Sequence, residues 1–255
     1  MLKTLKYAFA VKEIRNKILF TLGVLVVFRL GTYITVPGIN AKALNSVASS
    51  GLISILNTFS GGGLTNYSIL AMGVSPYITA QIVVQLLQMD IVPRFVEWSK
   101  QGEVGRRKLN QWTRYLTIVL AFIQSIGITA GFNYMSSLNL VKDPSPQTYI
   151  SIGLILTGGT MFTTWLGDMI TDRGIGNGIS MIIMAGIIAR VPSGIHQVFT
   201  EEFQGASSLW EPILYIVILL LVILAIVTFV TYVQQANYKI PIQYTRRVAG
   251  ASENS

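Results

Sequence analysis

The chain has 255 residues, of which 51% are hydrophobic and only 12% charged, with 19 Lys and Arg against 11 Asp and Glu for a net charge of +8. A water-facing surface typically needs about 25% charged residues, so the composition excludes a disordered chain and an ordinary cytosolic enzyme. The absence of cysteine excludes disulfides, thiolate chemistry and cysteine-based metal sites.

A membrane span needs about 20 mostly apolar residues. In chain order, residues 18–36 carry one charge (Arg29), and residues 69–89, 115–132, 149–166 and 212–233 carry almost only apolar and small polar side chains. Residues 174–189, rich in Gly and Ile and followed by Arg190, Val191 and Pro192, form a shorter fifth candidate before the last one. The expectation is therefore an all-α membrane protein with six transmembrane helices. The apolar run of the first span exceeds the core of a cleaved signal, about 7–15 residues, so that span is expected to be retained.

Six spans sort the loops onto two sides. Lys3, Lys6, Lys12, Arg15, Lys17, the basic residues from Arg94 to Arg114, Arg173, Lys239, Arg246 and Arg247 fall on one side, against Lys42, Lys142 and Arg190 on the other. Basic loops stay in the cytoplasm, which places both termini there and accounts for the excess charge without nucleic acid.

Proton- and ion-coupled transporters usually carry acids or histidine near the membrane midplane. Here Asp90, Asp168 and Asp172 fall at the cytoplasmic ends of spans, while His196, Glu201, Glu202 and Glu211 fall in the outer loop before the last span. No GxxxxGK[ST], GxSxG or paired-histidine motif occurs, so no enzyme activity, cofactor or metal is expected. Arg29 has two readings: snorkelling to the outer face, or hydrogen bonding to carbonyls of a neighbouring helix.

Two stretches do not suit a plain bundle. Gly51-Leu-Ile-Ser-Ile-Leu-Asn-Thr-Phe-Ser60 is apolar but too short to span, and Gly61, Gly62 and Gly63 follow it. It reads either as a re-entrant, movable element lining a cavity or as a helix lying on the outer surface. Gly174-Ile-Gly-Asn-Gly178 allows a tight turn and close helix approach. Gly127 and Gly131 form a GxxxG, read as close packing. Gln81, Gln85 and Gln88 recur at helical spacing and should face protein or water, because amides facing lipid are costly.

Pro76-Tyr-Ile-Thr-Ala80 leading to Gln85-Leu-Leu87, Gly102-Glu-Val-Gly-Arg-Arg-Lys108, Gln111-Trp-Thr-Arg-Tyr115, Gln124-Ser-Ile-Gly127 and Arg173-Gly-Ile-Gly-Asn-Gly-Ile-Ser180 together resemble the SecY family of bacterial protein-conducting channels. The resemblance implies one half of an inverted-repeat channel plus the first helix of the second half, since the family has ten spans. It divides the chain into a cytoplasmic N-terminal segment (1–17), a first five-helix half (18–198), an outer loop with the sixth span (199–233) and the start of a cytoplasmic loop (234–255).

It further implies a channel in the bacterial cytoplasmic membrane that passes unfolded polypeptides across and hydrophobic segments sideways into lipid, hydrolysing nothing itself. The implied pore constriction is Ile78, Ile82, Ile183 and Ile187, each pair spaced i, i+4 on one helical face. The implied plug is residues 51–63, with Leu52, Ile53, Ile55, Leu56 and Phe59 as its apolar face and Gly61, Gly62 and Gly63 as its hinge. Gln85 and Gln124 are candidates for the lateral gate, and Arg106, Arg107, Lys108, Arg246 and Arg247 for contact with a cytoplasmic partner. The implied partners are SecE, SecG, the SecA ATPase and the ribosome. Two alternatives stand beside this reading: a partner-binding membrane scaffold without its own pore, and a small-solute transporter.

Overall fold

The computed structural model describes residues 11–40, 57, 60–89, 91–136, 140–204 and 210–236. The described residues form eight helices and no strands: α1 (Lys12–Gly31), α2 (Ser75–Leu87), α3 (Pro93–Lys100), α4 (Gly102–Ser136), α5 (Pro146–Arg173), α6 (Gly178–Ile188), α7 (Val191–Gln204) and α8 (Trp210–Gln234). Two compact units result, Met1–Gly194 and Ile195–Ser255.

Local chemistry sets the boundaries. Ser145 accepts a hydrogen bond from the Thr148 amide (3.3 Å) and Pro146 follows it, so α5 starts with a side-chain cap and a proline in its first turn. Asn177 caps α6 by accepting from the amides of Ile179 (3.1 Å) and Ser180 (3.2 Å). Pro76 and Pro93 likewise sit in the first turns of α2 and α3, where a proline removes no helical hydrogen bond.

In the first unit α4 and α5 are the central antiparallel pair. Arg114 meets Asp168, Ser125 meets the Gly153 carbonyl and Asn133 meets Tyr149, so the numbers rise on one helix as they fall on the other. Within lipid, apolar burial does little to bring helices together, and close packing of small residues does more. The structure follows that rule. A Cβ on Gly159 would lie 1.7 Å from the Ile69 carbonyl oxygen, and one on Gly178 1.9 Å from that of Gly167. The apolar interior divides into a cluster around Tyr67, Leu140, Ile152 and Leu156 and another around Phe28, Leu70, Ile170 and Ile182.

Among the described residues, four helical stretches are long and apolar enough to cross a membrane: Gly102–Tyr134, Pro146–Arg173, Gly178–His196 and Leu214–Gln234. α1 opens with Lys12, Glu13, Arg15 and Lys17, and α2 has only 13 residues. The sequence reads residues 69–89 as one helical span, but the helix starts at Ser75. Residues 60–74 are a chain of turns in which Tyr67 (φ 42°) and Gly73 (φ 53°) take left-handed backbone conformations. Hydropathy registers that residues 69–74 are apolar, not that their backbone is folded into turns. α2 is about 20 Å long, short of a hydrocarbon core of about 30 Å, and the turns that precede it are buried, so their backbone polar groups need partners within the protein.

The amides of Gly63, Ser68, Ala71 and Gly73 donate to the carbonyls of Ser60, Gly63, Ser68 and Leu70, at 2.8 to 3.1 Å, while the buried Ser68 hydroxyl has no hydrogen-bond partner among the described residues. The Tyr67 hydroxyl lies 2.5 Å from Thr129 Oγ1 on α4. Val36 donates to the Tyr67 carbonyl and Ile69 to that of Ile34, which ties the strand-like exit from α1 to the same turns.

Two further readings are corrected. Gly127 and Gly131 do not pack closely: a Cβ at either meets nothing within 4 Å. Residues 191–204, read as loop, are helical, because Pro192 falls in the first turn of α7 instead of terminating the preceding helix. His196 and the backbone of Glu201 and Glu202 therefore belong to a helix, and His196 is exposed. The second unit consists, among the described residues, of the end of α7 and α8, whose Leu214–Gln234 stretch is fully apolar-facing with no buried residue.

Candidate functional site

The candidate site is built around the turns over residues 60–74, with Asn57 hydrogen-bonded to them. Gly61 (φ +64°) and Gly62 (φ +89°) both adopt the left-handed backbone that favours glycine. Space demands glycine as well: a Cβ on Gly61 would sit 3.2 Å from the Gly186 Cα on α6, and one on Gly62 3.0 Å from Arg190 Nη2. Asn57 braces the turn from within, its carbonyl accepting from the Gly62 amide (2.9 Å) and its Oδ1 from the Thr65 amide (3.0 Å). Its Nδ2 donates to Thr65 Oγ1. Ser60 Oγ accepts from the Leu64 amide (3.1 Å).

Two cations reach this turn from separate helices. Arg29 on α1 donates to the Gly61 carbonyl, and its second terminal nitrogen donates to the Tyr33 hydroxyl at 3.2 Å, with the guanidinium 5.1 Å from that ring's centre. Of the two readings of Arg29, a carbonyl bond is the one realised, although its acceptor is the glycine turn and not a neighbouring helix. Arg190, just past α6, donates to Thr65 Oγ1 at 2.8 Å. Sequence reasoning passed over Arg190 as an end-of-span residue and offered no signal at all for Asn57, Thr65 or Tyr67.

Beside the turn lies a cavity of about 320 Å³ lined by Ser60, Leu64, Ala71, Met72, Gln124 and Ile128, with Ser75 at the start of α2. Gln124 thus faces the same cavity as Ser60 and Leu64 of the turn. Gln85 is exposed, and no hydrogen bond joins it to Gln124 among the described residues. Ile78 on α2 and Ile183 on α6 both pack against the cluster of Val24, Phe28, Leu70, Val74, Leu166, Ile170 and Ile182. Their i+4 mates, Ile82 and Ile187, are exposed, at 51% and 40%. Each pair therefore has one side chain against the core and one turned away from it.

Arg106, Arg107 and Lys108 are exposed in the first turns of α4. Lys108 Nζ lies 5.8 Å over the Trp98 ring of α3, and Phe95, Trp98, Trp112 and Tyr115 form a run of edge and tilted ring contacts. A Cβ on Gly105 would lie 1.7 Å from the Trp98 carbonyl oxygen, so glycine lets α3 fold back against α4. Leu52, Ile53, Ile55, Leu56 and Phe59 of the expected plug, and Arg246 and Arg247, lie outside the described residues.

The fold is shared with solved channels. "The structure of a protein conducting channel" superposes with a TM-score of 0.62 at 18% identity, over 84% of this chain and 47% of that one. The Sec61 chain in the canine ribosome-channel complex from the endoplasmic reticulum gives 0.63 at 19%, over 89% and 49%.

Sequence relatives are far closer. Protein translocase subunit SecY 1 of Lactobacillus kefiranofaciens is 60% identical across 100% of this chain and 60% of its own length. SecY of Streptococcus gordonii is 55% identical over 99% and 58%, and that of Bacillus subtilis 51% over 96% and 57%. The chain thus spans about three fifths of the length of these relatives. With its membrane-length helices, that kinship makes it a multi-pass protein of the bacterial cytoplasmic membrane. The family model described as SecY matches residues 68–255, and the chain belongs to the SecY family.

Proposed function

We propose that the chain is the N-terminal part of a protein translocation channel, passing unfolded polypeptides across the membrane and releasing hydrophobic segments into it. The observation that carries this reading is the buried chain of turns over residues 60–74. Non-helical backbone at membrane depth is tolerated only where protein encloses it or where it lines a cavity, and here it does both. It lies between helices of a SecY-family fold and abuts the cavity reached by Gln124.

In this reading α1, α2 with its preceding turns, α4, α5, α6 and α8 are the six spans, both termini are cytoplasmic, and residues 51–63 are the plug closing the pore from outside. Ile78, Ile82, Ile183 and Ile187 form this chain's part of the constriction. Apolar side chains there resist wetting, which blocks ions, and they offer no charge to trap a passing chain. Gln85 and Gln124 serve the lateral gate. Arg106, Arg107 and Lys108 on the exposed start of α4, with Arg246 and Arg247, meet a cytoplasmic driving partner, SecA or a translating ribosome. SecE and SecG complete the channel. The likeness to the Sec61 chain of a ribosome-channel complex supports the ribosome arm.

The absence of cysteine makes the test direct. Ile82→Cys and Ile183→Cys variants are expressed with the C-terminal remainder of the Lactobacillus relative, and a secretory chain carrying one cysteine is stalled in the complex. Disulfides at both positions, and none at Leu221→Cys on the exposed face of α8, are expected. Assembly without either crosslink would reject the pore and favour a scaffold.

A further inference from the structure

Charge is distributed unevenly in the first unit. Residues 14–89, 104–142 and 173–200 hold no Asp or Glu, yet two arginines meet at one turn inside that acid-free zone. Arg29 donates to the Gly61 carbonyl and Arg190 to the Thr65 hydroxyl. The Arg190 Nε and Nη2 also lie 3.1 and 3.0 Å from where a Cβ on Gly62 would be. The two guanidiniums therefore address neighbouring residues of the chain, close enough for the charge of Arg29 to act on Arg190.

No described carboxylate balances them. The ion pairs among the described residues are Lys17 with Glu13 and Arg114 with Asp168. Asp168 and Asp172 lie in the last turns of α5, whose following residue Ile175 bonds through its amide to Thr21. Thr21 precedes Arg29 by about 12 Å of helix. A cation drawn partly out of water is normally paired, and both arginines are partly buried. Two like charges held on one turn sharpen that need, because they repel.

Donors are available as well. A guanidinium carries five N–H groups in a fixed fork. Arg29 directs two nitrogens at described acceptors, Gly61 and Tyr33, and Arg190 directs one at Thr65. These neutral acceptors satisfy hydrogen bonds but leave the charge uncompensated. A tetrahedral oxyanion suits what remains, since it accepts from both forks at once and arginine's planar fork matches phosphate geometry. Both arginines keep part of their surface exposed, so a small anion has access to them.

We propose that Arg29 and Arg190 together form a phosphate-class anion site on the glycine turn, filled by free phosphate or by the phosphodiester of an anionic lipid. The site involves no translocating chain, and it holds whether or not residues 51–63 act as a plug.

The test uses the chain co-expressed with the C-terminal remainder of the Lactobacillus relative and purified in neutral detergent. Inorganic phosphate, compared with chloride at equal ionic strength, is expected to raise the denaturation midpoint in a saturable way. Arg29→Gln and Arg190→Gln are each expected to raise the half-saturating phosphate concentration about tenfold, the scale of a lost charge-assisted bond. Arg15→Gln, exposed in the first turn of α1, should leave it unchanged. Where a Gln variant fails to assemble, Arg29→Lys and Arg190→Lys keep the charge but lose the fork, and a weakening of the same sign is expected of them.

The same variants in phosphatidylcholine vesicles with and without phosphatidylglycerol separate the two sources. An arginine-dependent rise with phosphatidylglycerol but not with phosphate assigns the site to lipid, and one with phosphate assigns it to the free ion. No arginine-dependent rise with either probe overturns the proposal, as does an equal rise in the parent and in the double Gln variant. A carboxylate brought by the C-terminal remainder would occupy the pair and give that negative result.

Discussion

Two glycine-rich connectors in the first unit are built on opposite plans. The turn between α5 and α6 is held mostly by its neighbours: Asn177 caps α6, Thr171 Oγ1 accepts from the Gly178 amide at 2.9 Å, and Gly178 presses on the Gly167 carbonyl. Those contacts lie within about a dozen residues, and a single neutral bond, from the Ile175 amide to Thr21 Oγ1 on α1 at 3.2 Å, comes from far away. The turn at Gly61 and Gly62 has local bonds too, but its charged contacts come from Arg29 and Arg190, far away in sequence. A connector held by its neighbours moves only if a helix end unravels. One held by distant side chains can be let go while every helix stays intact. Glycine content alone does not distinguish a rivet from a hinge; the origin of the contacts does.

The sharpest way to break the comparison is at the rivet. Gly178→Val places a branched side chain where a Cβ alone would be 1.9 Å from a backbone oxygen. Neither partner can move without separating α5 from α6, so a loss of about 3 kcal/mol is expected, read as a lowered midpoint of thermal denaturation in detergent. Next comes the hinge. Gly62→Ala forces a side chain into φ +89° and against Arg190, at about 1–2 kcal/mol for the left-handed backbone. That cost should appear as faster maleimide labelling of a Ser60→Cys variant, whose side chain is buried beside the turn, with little change in the denaturation midpoint, whereas equal effects on both readouts would erase the distinction between the connectors.

Asn177→Ala, removing the cap of α6, should cost about 1 kcal/mol, visible in the denaturation midpoint and not in labelling at Ser60. Smaller still is Arg114→Ala. Its 2.6 Å pair with Asp168 is partly exposed, at 52% and 32%, and such pairs contribute about 0–1 kcal/mol. Least of all, Gly127→Leu meets open space and should leave the midpoint unchanged, where Gly153→Leu, with a Cβ 3.0 Å from Ile126, should lower it clearly.

Much of the scaffold could be read before any coordinates. The long apolar runs became α4, α5 and α8, and Gly174–Gly178 made the tight turn and close approach its composition suggested. The glycine triplet was legible as a break, because no other residue type tolerates two successive left-handed conformations so cheaply. What failed, failed for physical reasons. Residues 69–74 are as apolar as a helix, yet hydropathy measures only solvent preference. The turn geometry is imposed by Tyr67 bonding to Thr129 and by Ile69 pressing its carbonyl against Gly159, partners that are 62 and 90 positions distant. Pro192 was read as a stop although it equally suits a first turn, and Gly127 with Gly131 matched a packing pattern although a Cβ at either meets nothing within 4 Å. The candidate site was half visible: Gln124 and the glycines were found, while Arg190 was noted only as a boundary, since nothing in its neighbours reveals an acceptor 125 residues earlier.

The acid-free stretch from Ile14 to Met89 has a consequence for how the glycine turn responds to its surroundings. Among the described residues its charged contacts end on a carbonyl and two hydroxyls, so it contains no carboxylate to lose its charge on acidification and no imidazole to gain one between pH 5 and 8. Its screening by salt is also weak, since partly buried contacts feel mobile ions little. The grip on the turn is thus expected to be indifferent to acidification of the medium. Ser60→Cys labelling, corrected for thiolate fraction, should be flat across that pH range.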